Sequence, residues 1–134
     1  MSSAAGAKPR RARSGGAGKV NSHRLALAAA REALKKKAED VVLLDLRSLT
    51  GVCDYFVIAT GASDTQVKAI ADQVAEGLGD LGQEVWHVEG YRALRWVLLD
   101  YVDVVVHVFH HETRALYQLE RLWADAARES LADD

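Results

Sequence analysis

The chain has 134 residues, of which 49% are hydrophobic and 27% charged, and its net charge is −2. This length and composition predict one globular domain and exclude a fibrous or wholly disordered protein. A single cysteine, Cys53, excludes an internal disulfide and predicts a reducing compartment, so we expect the cytoplasm. No apolar run approaches the ~20 residues of a membrane span, so no membrane partner is predicted.

Charge is divided unevenly along the chain. Residues 1–19 carry five basic side chains and no acidic one, which leaves 12 basic and 19 acidic side chains, a net charge of −7, for the body from Val20 onward. An acidic body argues against a general nucleic-acid-binding protein. Residues 1–19 are predicted to be a flexible basic tail and residues 20–134 the folded domain. We favour a solvated tail over one that contacts RNA, although its composition also overlaps with mitochondrial transit peptides.

The first half of the chain predicts two helices and two strands. Asn21 or Ser22 caps a helix over residues 23–39, because apolar residues recur there at three-and-four spacing. Short, apolar, β-rich runs predict strands at 41–46 and 55–61. Ser63, followed three residues later by Gln66, forms a capping-box pattern that begins a second helix ending near residue 80.

The second half predicts three strands and a closing helix. The strands are expected at 84–91, 95–101 and 103–109, and the last two are so close in sequence that a hairpin is nearly forced. Residues 110–131 have helical periodicity. The predicted fold class is therefore α/β, with a five-stranded mixed β-sheet flanked by helices.

Two aspartates and a histidine lie within the apolar segment 98–109. If this were one strand, Asp103 and His107 would share a face and Asp100 would lie on the other, which is wrong for a metal-binding pair. If the chain turns near residues 101 and 102, both carboxylates flank the turn, where they more often accept hydrogen bonds than bind metal. For His107 we favour a half-buried side chain that hydrogen-bonds a neighbouring element over a catalytic role.

Two other patterns are weak signals for a metal or phosphate site. His107, His110, His111 and Glu112 straddle a strand end and a helix start, whereas zinc motifs such as His-Glu-x-x-His use one helical face. Gly61 lies in a strand-turn-helix segment that lacks the lysine and the further glycines of phosphate-binding loops. We therefore predict no catalytic residue, metal ligand or cofactor.

Aromatic and basic side chains are concentrated between residues 86 and 101. They are expected around one end of the last three strands and comprise Trp86, Tyr91, Arg92, Arg95, Trp96 and Tyr101. Aromatic residues with arginine are typical anchors of protein interfaces. Core packing is preferred for Trp86 and Trp123, whereas at Trp96 an interface role competes with it. The same patch is compatible with a weak homodimer, and the sequence does not favour either the dimer or the monomer.

Five segments together resemble the ribosomal silencing factor family, also called Iojap. They span about residues 22–127 and read DVVLLDL, TGVCDYFVIATGASDTQVKAIADQV, VEGY, WVLLDYVDVVVHVF and YQLERLWADA. The resemblance implies a nucleotidyltransferase-like fold without catalytic residues, and hence a protein that is not an enzyme. It also implies binding to the large ribosomal subunit through large-subunit ribosomal protein fourteen, which sterically blocks small-subunit joining when nutrients or energy are short. In that setting the basic tail becomes a candidate contact for ribosomal RNA.

The resemblance also implies where the ribosomal contact lies. Trp96, Asp100, Tyr101 and Asp103 match the family segment W-x-x-x-D-Y-G-D, and Tyr91 and Arg95 complete the predicted ribosomal-protein-binding set. A structural role is expected for Tyr55, Phe56, Gly61, Ser63 and Gln66.

The chain departs from the family pattern at two positions. Val102 stands where the family usually has glycine, and because a β-branched residue resists positive φ, we expect a turn that keeps φ negative or is wider. Thr65 stands where an arginine usually precedes the capping-box glutamine, which removes a cation that would suit a ribosomal contact.

A metal-dependent nucleotidyltransferase is the alternative function. Asp45, Asp100 and Asp103 would supply its carboxylates, and the turn at Gly61 would hold a phosphate. A structure in which these three carboxylates lie far apart would argue against it.

Overall fold

The computed structural model describes residues 21–132, and within them the chain forms four helices and six strands. In chain order these are α1 (Ser22–Lys35), β1 (Glu39–Asp45), β2 (Tyr55–Gly61), α2 (Asp64–Asp80), β3 (His87–Glu89), β4 (Trp96–Asp100), β5 (Val104–His110), α3 (His111–Tyr117), α4 (Leu119–Leu122) and β6 (Ala127–Leu131). The predicted tail, residues 1–19, lies outside the described residues.

The strands form one mixed sheet in the order β3-β4-β5-β2-β1-β6. β2 and β5 pair in parallel, with α2 in the crossover between them, and every other neighbouring pair is antiparallel. The predicted α/β class, the mixed sheet and the hairpin of β4 and β5 are confirmed. The predicted strand number of five is wrong, because residues 127–131 add a sixth strand.

The closing segment is not the single helix that its periodicity predicts. Gln118 has a left-handed backbone with φ 50°, which separates α3 from α4. Residues 127–131, expected to be helical, instead pair antiparallel with β1 from Val41↔Leu131 to Asp45↔Ala127. Without β6, the outer edge of β1 would expose a row of unpaired amides and carbonyls, and pairing this edge outweighs the modest helix preference of the segment.

Side-chain hydrogen bonds fix where α1 and α2 begin. The Asn21 side chain accepts from the amides of His23 and Arg24 at 2.9 and 3.3 Å. Ser63 Oγ accepts from the Gln66 amide at 3.1 Å, as the capping-box pattern predicts, while the Gln66 side chain returns to the amide of Ala62 at 2.6 Å. Gln66 also donates to the carbonyls of residues 36 and 37, which ties α2 to the end of α1.

The sheet separates two hydrophobic clusters. One face is covered by α1 and α2, which bury Leu25, Ala29, Val67, Ile70 and Val74 against alternate strand residues such as Val57, Val97, Leu99 and Val106. The opposite face carries Val42, Leu44, Ile58, Val105 and Phe109, and among the described residues of the closing segment Leu119, Trp123 and Ala126 pack on it. This second face is therefore only partly covered.

Candidate functional site

An aromatic surface lies on the second face of the sheet, where helices leave it open. We define the aromatic face as the half-buried side chains of Phe56, Trp96, Leu98 and Trp123, which pack around buried Phe109 and neighbouring core residues. Period two along β4 directs Trp96 and Leu98 to this face and Val97 and Leu99 to the core beneath α1 and α2. The result is a nonpolar surface at one side of the molecule.

A hydrogen bond between two side chains organises the centre of this face. Trp96 on β4 donates its indole N–H to Nδ1 of His107 on β5 at 3.0 Å. The Phe56 ring meets the His107 ring edge-on with 4.5 Å between centroids, and Phe109 lies 4.8 Å from the Trp96 ring. Burial lowers the pKa of His107 to about 3, so the imidazole is neutral at pH 7. The prediction that His107 hydrogen-bonds a neighbouring strand is confirmed, but the side chain is 4% exposed and therefore buried, not half-buried as expected.

Acidic side chains border the aromatic face along β3 and β4. Glu89 lies opposite Leu98 and His87 opposite Asp100 in the antiparallel pairing of these strands, so all four share this side of the sheet. The His87 ring and the Glu89 carboxylate are hydrogen-bonded to each other. The border therefore combines carboxylates with a histidine, next to nonpolar aromatic surface.

The turn between β4 and β5 is tight and uses an aspartate as its acceptor. Asp100 Oδ1 accepts from the amide of Val102 at 2.7 Å, which confirms the expectation of a turn-stabilising carboxylate. The Asp103 amide donates to the Tyr101 carbonyl at 3.0 Å across Val102, whose φ is 75°. This is the rarer, more strained kind of γ-turn. The expectation that Val102 keeps φ negative is therefore wrong.

The six predicted binding residues do not form one patch. Trp96 begins β4. Asp100 ends β4, and Trp86 lies at the same end, because its amide donates to the Asp100 carbonyl at 2.8 Å. The predicted grouping of the aromatic residues around one end of the strands is therefore wrong. Tyr101, although predicted to bind the ribosomal protein, is 3% exposed and packs in the core under α1 and α2, where burial raises its pKa to about 12. Because side chains alternate along the chain, Tyr101 points to the other face of the sheet from Asp100.

The remaining predicted residues lie near the borders of the sheet. Tyr91 is exposed and donates its hydroxyl to Asp72 of α2 at 2.7 Å, on the side away from the aromatic face. Arg95 is exposed next to Trp96 and lies 3.7 Å from Glu112 at the start of α3. Asp103 is half-buried in the turn, and its carbonyl accepts from the amide of Asp54 at 2.8 Å.

The histidines and glutamate near residue 110 have separate roles. His110 is buried and caps α3 by accepting from the Glu112 amide at 3.3 Å, while His111 is exposed and stacks on it. No group of three or more His, Cys, Asp or Glu side chains within residues 21–132 is arranged to hold a metal ion. His110 therefore marks a strand-to-helix boundary, as the sequence predicts.

Gly61 is required by close packing. A Cβ at Gly61 would lie 2.9 Å from the backbone nitrogen of Val67, so β2 approaches the first turn of α2 too closely for a side chain. This contact explains the glycine without a bound phosphate. Thr65, in the same turn, is exposed.

Sequence reasoning missed an arginine that joins the closing segment to the sheet. Arg114 of α3 donates to Thr60 Oγ1 at 2.6 Å and to the backbone carbonyl of Asp40, and it forms an ion pair with Glu120. Leu98 and the site role of Phe56 were also missed. The strand alternation around Trp96 is the signal that would have found Leu98.

The comparison with known proteins decides the family. A sequence model described as "Ribosomal silencing factor during starvation" matches residues 19–134. The chain belongs to the ribosomal silencing factor family. The prediction made from the five sequence segments is thus confirmed.

Relatives within the family are similar over most of the domain. "Ribosomal silencing factor RsfS" of Bacillus subtilis is 48% identical over 91 residues, which are 68% of this chain and 77% of the relative. "Protein Iojap, chloroplastic" of Zea mays is 33% identical over 104 residues, 75% of this chain and 44% of that protein.

Solved structures share the fold. A Chromobacterium violaceum protein superposes with a TM-score of 0.76 at 34% identity and covers 78% of this chain and 88% of its own. One from Bacillus halodurans has a TM-score of 0.72 at 41% identity, covering 81% and 99%. Within residues 21–132, no helix is long and apolar enough to cross a membrane.

Proposed function

We propose that this protein binds the large ribosomal subunit through large-subunit ribosomal protein fourteen and sterically blocks joining of the small subunit. Translation is thereby repressed when nutrients or energy are limiting, and we place this activity in the cytoplasm. Membership of the ribosomal silencing factor family supports a ribosomal partner. The observation that carries the choice of surface is the aromatic face around Trp96.

The chemistry of the aromatic face suits a protein partner. Its centre is nonpolar and aromatic, and its border holds charged groups, which is the arrangement of protein interfaces with a few dominant anchors. The body from Val20 onward has a net charge of −7. Complementary charge on a basic ribosomal protein would accelerate encounter, and burial of the aromatic side chains would hold the complex.

We assign different roles to the six predicted binding residues. Trp96 touches the partner directly, since it is half-buried on the aromatic face. Asp103 and Arg95 contribute charge at the border, and Tyr91 lies outside the main contact. Asp100 and Tyr101 act through the hairpin, one as the acceptor of the Val102 amide and the other as part of the core.

Co-sedimentation with isolated large subunits tests this proposal. The wild-type protein should pellet with the subunits, and Trp96→Ala should reduce the bound fraction about tenfold or more, because a tryptophan that acts as an interface hot spot contributes about 2 kcal/mol or more. Leu81→Ala is the matched control, since Leu81 is 54% exposed at the end of α2 on the opposite side. A wild-type protein that stays in the supernatant would refute ribosome binding.

A subunit-joining assay tests the mechanism separately from binding. Small subunits are added to large subunits preincubated with wild-type protein, Trp96→Ala or Leu81→Ala, and joined ribosomes are measured by light scattering. Wild type and Leu81→Ala should suppress joining, whereas Trp96→Ala should not. Binding without suppression would contradict steric exclusion and leave the docking surface intact.

The alternative, a metal-dependent nucleotidyltransferase, is not favoured by the arrangement of the carboxylates. Asp45 is bound by Arg47 at 2.7 Å, and Asp100 is bound by the Val102 amide. Three strand spacings separate β1 from β4, so Asp45 and Asp100 lie roughly 14 Å apart. Magnesium-dependent nucleotide turnover that is abolished in Asp103→Asn would instead support the nucleotidyltransferase.

A further inference from the structure

The indole nitrogen of Trp96 points into the protein. An indole has one hydrogen-bond donor and no acceptor, and the donor of Trp96 is directed at His107 Nδ1 at 3.0 Å. His107 is 4% exposed, so this hydrogen bond lies beneath the aromatic face. The part of Trp96 that remains accessible is hydrocarbon.

The tautomer of His107 follows from this contact. Because Nδ1 accepts from Trp96, the ring proton of the neutral imidazole lies on Nε2. Nε2 is buried and has no hydrogen-bond partner within residues 21–132. A buried donor without a partner is destabilising, and a nonpolar side chain at this position would avoid that cost. Packing alone therefore does not explain a histidine here.

We infer that His107 is a positioning residue, which fixes the indole of Trp96 and occupies its only polar atom, so that the ribosomal partner meets Trp96 through the ring surface and not through a hydrogen bond from the indole N–H. This inference rests on the proposed function and specifies the partner chemistry at its central contact. The partner should present aliphatic or aromatic surface to Trp96. A carbonyl or carboxylate acceptor there would find no indole N–H to bind.

The neighbouring rings support a fixed geometry. Phe56 meets His107 edge-on, and Phe109 packs against Trp96, so each member of the hydrogen-bonded pair has an aromatic neighbour. Trp96 and His107 lie on adjacent antiparallel strands, with His107 opposite Leu98 and Trp96 opposite Phe109. Loss of the hydrogen bond would let the indole rotate, because Trp96 is only half-buried.

Hydrogen exchange of the indole N–H tests the pair without any ribosome. In ¹H–¹⁵N spectra, Trp96→Phe identifies the Trp96 indole resonance. This proton should exchange slowly in wild type and at least about tenfold faster in His107→Phe, which keeps a ring but removes both nitrogens. His107→Asn, whose side-chain oxygen takes the place of Nδ1, should retain slow exchange. Fast exchange in wild type would overturn the inference.

Affinity for large subunits tests the functional half. His107→Phe should weaken binding about tenfold, the equivalent of 1.4 kcal/mol at 25 °C, while His107→Asn should stay within about threefold of wild type. In a Trp96→Phe background, His107→Phe should add no further loss, since no indole N–H remains to be held. Melting temperatures of all variants identify any that fail to fold.

The possible results separate the inference from the proposed function. His107→Phe that folds and binds like wild type would overturn the inference and leave ribosome binding standing. Wild-type protein that does not bind large subunits would overturn the proposed function. Slow, His107-dependent exchange would in that case still support the positioning of Trp96.

Discussion

The carboxylate of Asp100 accepts a hydrogen bond from the amide of Val102 at 2.7 Å, and both side chains are buried. This contact holds the hairpin between β4 and β5 and thereby sets the position of the strand that carries Trp96. It also accompanies a left-handed φ of 75° at Val102. A β-branched residue is stable there only because the surrounding structure imposes the conformation.

Replacement of Val102 by glycine should change stability little. Relief of backbone strain is worth about 1–3 kcal/mol, and the loss of a buried valine side chain costs about the same. The control is Val104→Gly, at an equally buried position of β5 for which no left-handed φ is observed, and it should lose about 2–4 kcal/mol. Urea unfolding measures both. Equal losses in the two variants would show that Val102 is unstrained.

Asp100→Ala should destabilise the protein by about 1–3 kcal/mol, because it leaves the buried Val102 amide without its side-chain acceptor. Asp100→Asn retains a carbonyl acceptor and should lose less than half as much. Thermal unfolding of the two variants distinguishes an acceptor role from a charge role. If Asn and Ala are equally damaging, the negative charge is what matters at this position.

Stability should fall as the pH drops from about 6.5 towards 5. Burial lowers the pKa of His107 to about 3 in the folded protein, whereas an unfolded histidine takes up a proton near 6.5. The unfolded state therefore binds more protons in this range, and about 2 kcal/mol is lost by pH 5. Carboxylates with lowered pKa values, such as Glu120 and Asp45, add to the loss of stability only at lower pH, where the unfolded carboxyl groups, with pKa values near 4, take up protons.

Denaturant unfolding between pH 7.5 and 5 checks this dependence. His107→Phe should flatten the curve across the window and leave the steeper loss below pH 4.5 unchanged. His23→Phe is a suitable control, because the His23 side chain is 41% exposed and lies at the surface, where it contacts Glu129 and the Tyr55 ring. A His107→Phe curve parallel to that of wild type would contradict the assignment.

Removal of Arg114 should loosen the closing segment from the sheet. Arg114→Met deprives Thr60, the Asp40 carbonyl and Glu120 of their shared partner, and a hydrogen bond to a charged group contributes about 1.5–3 kcal/mol. Burial raises the pKa of Glu120, yet the hydrogen bonds from Arg114 bring it below its usual value. The arginine thus stabilises a charge that would otherwise be costly.

Amide exchange by mass spectrometry measures this loosening. Residues 119–131 should exchange faster in Arg114→Met while β2 and β5 stay protected. Arg121→Met serves as the control, because Arg121 is exposed and donates a hydrogen bond to the Gln118 side chain at 3.0 Å, without a link to the sheet comparable to that of Arg114. Uniform acceleration across the whole chain would instead indicate global destabilisation.

Deletion of residues 1–19 should leave large-subunit affinity within about twofold, if the five basic side chains are solvated as predicted. Binding of the full chain and of the shortened chain is compared at 50 and 200 mM salt. A contact with ribosomal RNA would appear as weaker binding of the shortened chain and a shallower salt dependence, since fewer phosphates are neutralised.

The sequence predicts elements whose periodicity and end signals agree. α1, α2, β1, β2 and the hairpin of β4 and β5 were all predicted, because capping residues and apolar runs point to the same structure at each of them. β6 was missed because its residues favour a helix in isolation, and only the open edge of β1 selects a strand.

The site was predicted less completely than the fold. Trp96 was identified from its residue type and the residues around it. Tyr101 lies five residues later, and because side chains alternate between the two faces of a sheet, it points into the core instead. The pairing of Trp96 with His107 depends on the register between β4 and β5, which the turn at Val102 determines. Sequence patterns predicted the turn and not its conformation.

The aromatic face takes Phe56 from β2, Trp96 from β4 and Trp123 from beyond α4, and the parallel pairing of β2 with β5 brings these distant segments together. Such long-range pairing is slow to form, because the entropy of closing the intervening chain is lost before the contacts are gained. A fragment that ends before β5, or a molecule in which the crossover between β2 and β5 is unfolded, does not form the aromatic face. Display of the aromatic face therefore requires the parallel pairing of β2 with β5 to be complete.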